Sequence, residues 1–232
     1  MIIQGQETKP PSKTTVYSRL RDEIILGRVR PHDRLKVTEI AKRFGTSTNP
    51  VREALQQLCG EGFVIMTPNR GARVRPMDEN FVRDIVEIEM LLEPKLTSWF
   101  VEMATSEDLA ELEAICGQIE ELNFQDSLEH NKLDMDFHLV MYKKHYNHHA
   151  LELWRRHRDI LSAIGQQFTN PTSLKRQKEI LEEHRLIIKC VKEQDIDQAV
   201  KVISKHVDGA GKHVIEQIRL LRNGSSEGLI QK

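Results

Sequence analysis

The stretch Gly45-Thr46-Ser47-Thr48-Asn49-Pro50-Val51-Arg52-Glu53-Ala54-Leu55-Gln56-Gln57-Leu58-Cys59-Gly60 sets the reading of the N-terminal third of this 232-residue chain. Pro50 suits a first helical position, because its missing N–H would have had no partner there. Val51, Ala54, Leu55 and Leu58 then recur at helical spacing until Gly60 and Gly62 end the run. Upstream, Val37 to Phe44 predicts a short helix stopped by Gly45, and Val16, Leu20, Ile24 and Ile25 form the stripe of an earlier helix that Gly27 terminates. Downstream, Phe63-Val64-Ile65-Met66, the turn Pro68-Asn69-Arg70-Gly71 and Ala72-Arg73-Val74 predict a small hairpin. Three helices, a tight turn and a small β-hairpin make a winged helix-turn-helix over residues 14–76, preceded by a loose segment at 1–13.

The charge supports a nucleic-acid partner for this segment. Residues 1–76 carry 14 Lys+Arg against 7 Asp+Glu, whereas the remainder carries 20 against 28, so the near-neutral total hides a basic module on an acidic body. In such a module the start of the third helix meets base edges, which singles out Ser47, Thr48, Asn49 and Arg52. Arg52 lies one turn beyond Thr48 and can grip a guanine edge or a phosphate. Arg70 and Gly71 at the hairpin tip suit the adjacent minor groove, and Thr38 and Lys42 fall near phosphates. The bland alternative pairs Arg52 with Glu53 and leaves the winged helix to protein contacts.

From Met77 on, every strongly patterned segment is helical. Six helices are predicted, at Asp78–Met103, Glu107–Leu122, Ser127–Lys144, His148–Phe168, Ser173–Glu193 and Ile196–Leu221, and their short connections imply an antiparallel α-helical bundle over residues 77–222. The fold class is mainly α. Residues 223–232 read as a loose tail. No apolar run approaches the ~18 residues of a membrane span, and the N-terminus lacks the build of a signal peptide, so a cytoplasmic location with no membrane partner is expected. Cys59, Cys116 and Cys190 are widely spaced and form no CxxC pair, which fits small core residues.

The chain has 10 histidines, and their positions divide them. His32, His130, His157 and His213 show no convincing partner in sequence and are expected in solvent; His145, His148 and His149 cluster near a helix boundary as an adventitious metal site. Others sit where a polar ring is costly. On the third bundle helix Leu133, Phe137, Val140 and Met141 make the apolar stripe, with Asp134 and His138 one turn apart along its edge. His184 falls within the stripe Ile180, Ile187, Val191, and His206 among Ala199, Val202, Ile203 and Ala210. Unpaired burial would cost roughly 2 to 7 kcal/mol per group. A shared divalent cation relieves that cost, as would hydrogen bonds among the rings themselves. One carboxylate and three imidazoles suit zinc first, with nickel, manganese or iron as alternatives, and leave room for water or an incoming carboxylate.

Pro50-Val51-Arg52-Glu53-Ala54-Leu55, followed by Leu58, Gly62 and the Pro68-Asn69-Arg70-Gly71 tip, resembles the DNA-binding signature of the GntR family of bacterial transcription regulators, in its FadR-like branch. Asp134-Met135-Asp136-Phe137-His138, Glu183-His184-Arg185 and His206 resemble that branch's FCD-type effector domain, over about residues 78 to 218. The resemblance implies that Asp134, His138, His184 and His206 hold a metal, and that a homodimer binds a pseudo-palindromic operator in double-stranded DNA. It further implies repression modulated by a small-molecule effector, an organic acid. Two positions depart from the pattern. Thr48 stands where a base-reading arginine is usual, so the operator sequence does not carry over. Glu89 stands where an arginine commonly holds the effector's carboxylate. The rival readings are a metal-dependent hydrolase or oxygenase, which leaves the basic module idle and finds no HExxH or GxSxG motif, and a constitutive DNA-binding protein with a purely structural metal.

Overall fold

The computed structural model describes residues 15–25, 27–68, 70–76, 78–122, 126–165 and 174–227. Residues 1–13, Asn69 of the hairpin turn, the expected helix ends at Phe168 and Ser173, and 228–232 lie outside the described residues. The chain divides into two compact units, Met1–Arg75 and Pro76–Lys232.

The first unit holds α1 (Val16–Ile25), β1 (Arg34–Leu35), α2 (Val37–Phe44), α3 (Thr48–Gly60), β2 (Val64–Thr67) and β3 (Gly71–Val74). The apolar stripes meet as the spacing requires: α1 and α2 pack on α3, and Leu20, Ile24, Ile40, Val51, Leu55 and Leu58 are buried. Gly45 closes α2 in the left-handed region at φ 63°, its N–H returning to the carbonyls of Ala41 and Lys42, a conformation glycine adopts without a Cβ penalty. The hairpin β2–β3 pairs Val64 with Val74 and Thr67 with Gly71. A third strand, unread in the sequence, joins it: β1 pairs antiparallel with β3, Arg34 opposite Arg73, giving the order β1-β3-β2. Two residues are too few to show alternation, so pairing to an existing edge, not local pattern, creates β1.

The second unit is helical throughout: α4 (Glu79–Met103), α5 (Ser106–Glu121), α6 (Ser127–Tyr142), α7 (His148–Gly165), α8 (Leu174–Glu193) and α9 (Ile196–Glu227). Asp78 caps α4 by accepting from the Phe81 N–H, and Thr105 with Asp108 forms a reciprocal capping box on α5. α9 continues to Glu227, five residues into the segment expected to be a loose tail. The core joins Leu96 and Phe100 of α4, Leu112 and Ile119 of α5, Phe137 and Met141 of α6, Trp154 of α7, Ile187 of α8 and Ile203 of α9. α9 lies tight against α4 at Gly211, where an added Cβ would lie 2.5 Å from Val86 Cγ2. Cys116 and Cys190 are buried and Cys59 half-buried, and all three thiols are free. No helix among the described residues is long and apolar enough to cross a membrane.

Candidate metal centre and nucleic-acid surface

In the first unit, Ser47 occupies the N-cap of α3 with extended backbone, yet its side chain makes no capping bond. Its hydroxyl and the first N–H groups of the helix therefore remain available to a phosphate or base. Ser47, Asn49 and Arg52 are exposed and Thr48 is half-buried at the same helix start. Neither Arg52 nor Glu53 makes an ion pair among the described residues, so the two do not neutralise each other. Thr38 and Lys42 are exposed on α2, while Arg70 and Gly71 are exposed at the wing tip, Gly71 at φ 78°. Other cations of this unit are committed: Arg43 pairs with Glu23 at 2.5 Å, and the Arg73 guanidinium donates to the His32 carbonyl.

In the second unit α6, α8 and α9 bring Asp134, His138, His184 and His206 together, with one ligand atom of each within 4.8 Å of all the others. All three imidazoles are fully buried or nearly so. His138 Nε2 lies 3.0 Å from His206 Nε2, His184 Nε2 lies 3.3 Å from Asp134 Oδ1, and the other two Nε2 atoms lie 3.9 Å from that oxygen. Four ligands at ~2.1 Å around a tetrahedral ion stand about 3.4 Å apart, the middle of this range. Asp134 Oδ1 and both ring nitrogens of His184 are buried without a hydrogen bond, and a cation would take up the oxygen and one of the two nitrogens. The donor set fits a divalent ion.

Each of the four side chains has a neighbour behind it. Glu183 Oε2 accepts from His206 Nδ1 at 3.1 Å, leaving Nε2 free to face the centre. Arg176 clamps that carboxylate through one guanidinium nitrogen and the His206 carbonyl through the other, both at 3.1 Å. Gly209 makes room for it, since a Cβ there would come within 2.9 Å of the guanidinium carbon. Glu93 Oε2 stands 3.4 Å from His138 Nδ1 and accepts from Tyr142, while its other oxygen accepts from Trp154 Nε1. His184 has no such carboxylate, but Phe137 stacks on it at 3.9 Å, nearly parallel. Arg158 of α7 pairs with Asp134 through Oδ2, the oxygen turned from the rings.

The protonation states suit a cation. Burial holds His138 well below its ordinary pKa, with the Arg158 charge adding to it, and burial pushes His184 down to about 4. Burial would raise Asp134, but Arg158, the His184 contact and His138 outweigh it and hold the carboxyl well below its usual range. Glu183 is likewise brought to about 2 against its burial by His206 and Arg176. Burial raises Glu93 to about 8, so at neutral pH it is mostly a neutral acid.

Several histidines lie where the sequence did not place them. His157 is buried, not solvated: its Nδ1 meets Glu89 Oε1 at 2.5 Å. Glu89 itself is buried on the inner face of α4, one turn before Glu93. Beside it stand the His157 ring and, one residue on, the Arg158 guanidinium. His130 is also buried, 1% exposed, one turn before Asp134 on α6, and neither of its ring nitrogens makes a hydrogen bond among the described residues. Their helical spacing held the signal: His130, Asp134 and His138 recur every four residues, and His157 falls between Trp154 and Ile160. The expected cluster at the α6–α7 junction does not form. His145 is buried, accepts from the Asn147 N–H and packs edge-on against Trp99, while His148 and His149 are exposed. His213 is half-buried and His32 exposed.

The chain is similar to the FCD domain family over residues 84–209 and to the gntR family of bacterial regulatory proteins over residues 12–74. Among curated proteins it is 27% identical over 206 residues to the HTH-type transcriptional regulator YdhC of Bacillus subtilis, covering 87% of this chain and 91% of that one. It is 25% identical over 200 residues to the galactonate operon transcriptional repressor of Escherichia coli, covering 78% and 86%, and 25% identical over 201 residues to the gluconate operon transcriptional repressor of Bacillus licheniformis, covering 83% and 81%. The solved structure of Escherichia coli McbR/YncC shares the fold at a TM-score of 0.65 with 20% identity, over 87% of this chain and 96% of that one.

Proposed function

Since the chain belongs to the gntR-family transcriptional regulators that carry an FCD domain, we propose that it is a cytoplasmic, homodimeric repressor whose grip on a pseudo-palindromic operator is modulated by a small organic acid bound at a divalent metal, zinc first among the candidates. The observation that carries this reading is the convergence of Asp134 Oδ1 and three Nε2 atoms in a buried centre, within a chain that also presents an uncapped, exposed start of α3. Two relatives are named as repressors of a galactonate and a gluconate operon, which favours an acid as effector.

Asp134, His138, His184 and His206 would hold the ion, which supplies a positive centre able to attract a carboxylate. The chain's own residues do the rest. Glu183 orients the His206 ring through its hydrogen bond, and Glu93 stands behind His138. Arg158 offers the second cation that an organic anion needs beside Glu89, whose carboxyl meets the His157 ring. Thr38, Ser47, Thr48, Asn49, Arg52, Arg70 and Gly71 would contact DNA. Because the relatives are transcription regulators, the hydrolase and oxygenase readings are set aside.

Anisotropy titration of the DNA upstream of this protein's own gene tests the reading, with zinc-loaded protein and with metabolite acids added. Expected are salt-dependent binding, a loss of roughly 1 to 3 kcal/mol in Arg52→Ala, and a shift in affinity with one of the acids. An Arg52→Ala titration that overlays the wild type would remove the DNA assignment. Purified protein that holds no metal by elemental analysis and gains no thermal stability with zinc, nickel or manganese would remove the metal.

A further inference from the structure

His130 is the one fully buried imidazole near the centre that the four-ligand set leaves unused. It stands on the same face of α6 as Asp134 and His138, at four and eight residues before them. Side chains on a helix lean toward its N-terminus, so Asp134 leans back over the turn that carries His130. The electrostatics place it in the same neighbourhood: Asp134 acts on His130, and His130 acts on His184. Yet it belongs to no group of atoms close enough to share a cation with the other four. An imidazole that is 1% exposed and makes no hydrogen bond among the described residues is expensive to keep unless something else fills the space beside it.

His130 lies outside the set of atoms close enough to share a cation, so it does not coordinate the ion itself. A ring with both nitrogens unpaired, one helical turn from Asp134 on the same face, suits a hydrogen bond to a small oxygen ligand that Asp134 and the other three side chains would hold through the ion.

We propose that His130 is a binding residue for the effector: it hydrogen-bonds the carboxylate, or the water that carboxylate displaces, which shares the cation with Asp134, His138, His184 and His206. The inference rests on the metal-bound effector reading above. It makes His130 and Arg158 the two protein groups that receive the acid: the ring through a directed hydrogen bond, the guanidinium through charge.

The test uses the full-length protein loaded with cobalt(II), whose visible absorption reports the coordination sphere, and acetate as the probe. His130→Phe fills the same space without a polar atom, and His130→Gln keeps one. Cobalt stoichiometry should stay at the wild-type value in both. The acetate midpoint should rise at least tenfold in His130→Phe and by less in His130→Gln. Should the phenylalanine variant fail to fold by circular dichroism, the glutamine variant still decides, by a raised midpoint at full cobalt content. A wild-type midpoint in either folded variant overturns the inference, and so does loss of cobalt, which would make His130 a requirement for the ion itself. If the wild-type protein takes up no cobalt, the metal reading falls first and this inference falls with it.

Discussion

Two kinds of buried group around the centre pull stability in opposite directions with pH, and the metal-free protein should show both. His138 and His184 stay neutral in the fold, His184 down to about 4, whereas on unfolding they take up protons below their ordinary 6.5. The unfolded state then binds more protons, so their contribution to stability is full above 6.5 and is lost as pH falls toward 4. Glu93 does the reverse: it keeps its proton in the fold up to about 8 but releases it on unfolding above 4.5, so stability drops as pH rises through that interval. Below 6.5 the imidazoles prevail; between 6.5 and 8 Glu93 is left unopposed by them. Urea unfolding of chelator-stripped protein should therefore find stability falling by about 2 kcal/mol from pH 6.5 to 8, at 1.36 kcal/mol per unit. Glu93→Gln should flatten that limb, and an unchanged slope would show that Glu93 ionises in the fold. Glu183 acts through His206, so Glu183→Gln should weaken zinc affinity by roughly 10- to 100-fold, measured by competition with a chromophoric chelator, while the fold persists. These roles mark where sequence reading stops. The four residues of the cluster stood out because Asp and His interrupted apolar stripes. Glu93, Glu183, Arg158 and Arg176 are charged residues on helices full of charged residues, and only the packing of α4, α7, α8 and α9 separates them from a solvated face.

The helices themselves were legible because punctuation and period agree: Gly45 closes α2 and Thr105 with Asp108 opens α5, although α3 begins at Thr48, two residues before the Pro50 expected to open it. What the pattern omits is any contact whose partner is remote in sequence. β1 exists only because β3 offers an edge, and α9 outruns its apolar period to Glu227. His130 and His157 fell to the same omission, being judged by sequence neighbours instead of by the helices that cover them. Close helix approach is equally invisible, since a glycine reads as a helix weakness until its neighbour is known. Gly211 is such a case. A methyl group there would meet the branched, stiff side chain of Val86 at 2.5 Å, and neither α4 nor α9 can yield without shifting its backbone. Gly211→Ala should destabilise the protein by about 1 to 3 kcal/mol in spite of its better helix propensity, and adding Val86→Ala should recover much of that loss. Thermal unfolding of the single and double variants measures both. A Gly211→Ala protein as stable as wild type would mean that the two helices are free to separate there. Gly209 makes a contrasting prediction, because the atom in the way is the mobile end of Arg176. Gly209→Ala should leave stability nearly intact while displacing the guanidinium from Glu183, and so lower zinc affinity without unfolding anything.

The whole chain joins a basic unit, which ends at Arg75, to an acidic one that starts at Pro76. The charge asymmetry made that division readable before any helix was placed. A regulator built this way works only if the ion and the acid change the free energy of DNA binding. An effector that met both DNA-binding states with equal affinity would shift nothing. The coupling is reciprocal: if zinc with a bound acid alters operator affinity by some factor, operator DNA must alter the affinity for that acid by the same factor. Typical couplings of 1 to 3 kcal/mol correspond to about 5- to 150-fold. The decisive measurement is a closed cycle, with acid affinity determined calorimetrically in the presence and absence of operator, and operator affinity determined with and without the acid. Equal, non-unit factors on the two arms are expected for the wild type. In Asp134→Asn, where the centre loses its carboxylate ligand, both factors should collapse to one while Arg52 still binds DNA. Unit factors in the zinc-loaded wild type, with DNA binding intact, would identify the centre as a structural staple and the protein as a constitutive DNA binder.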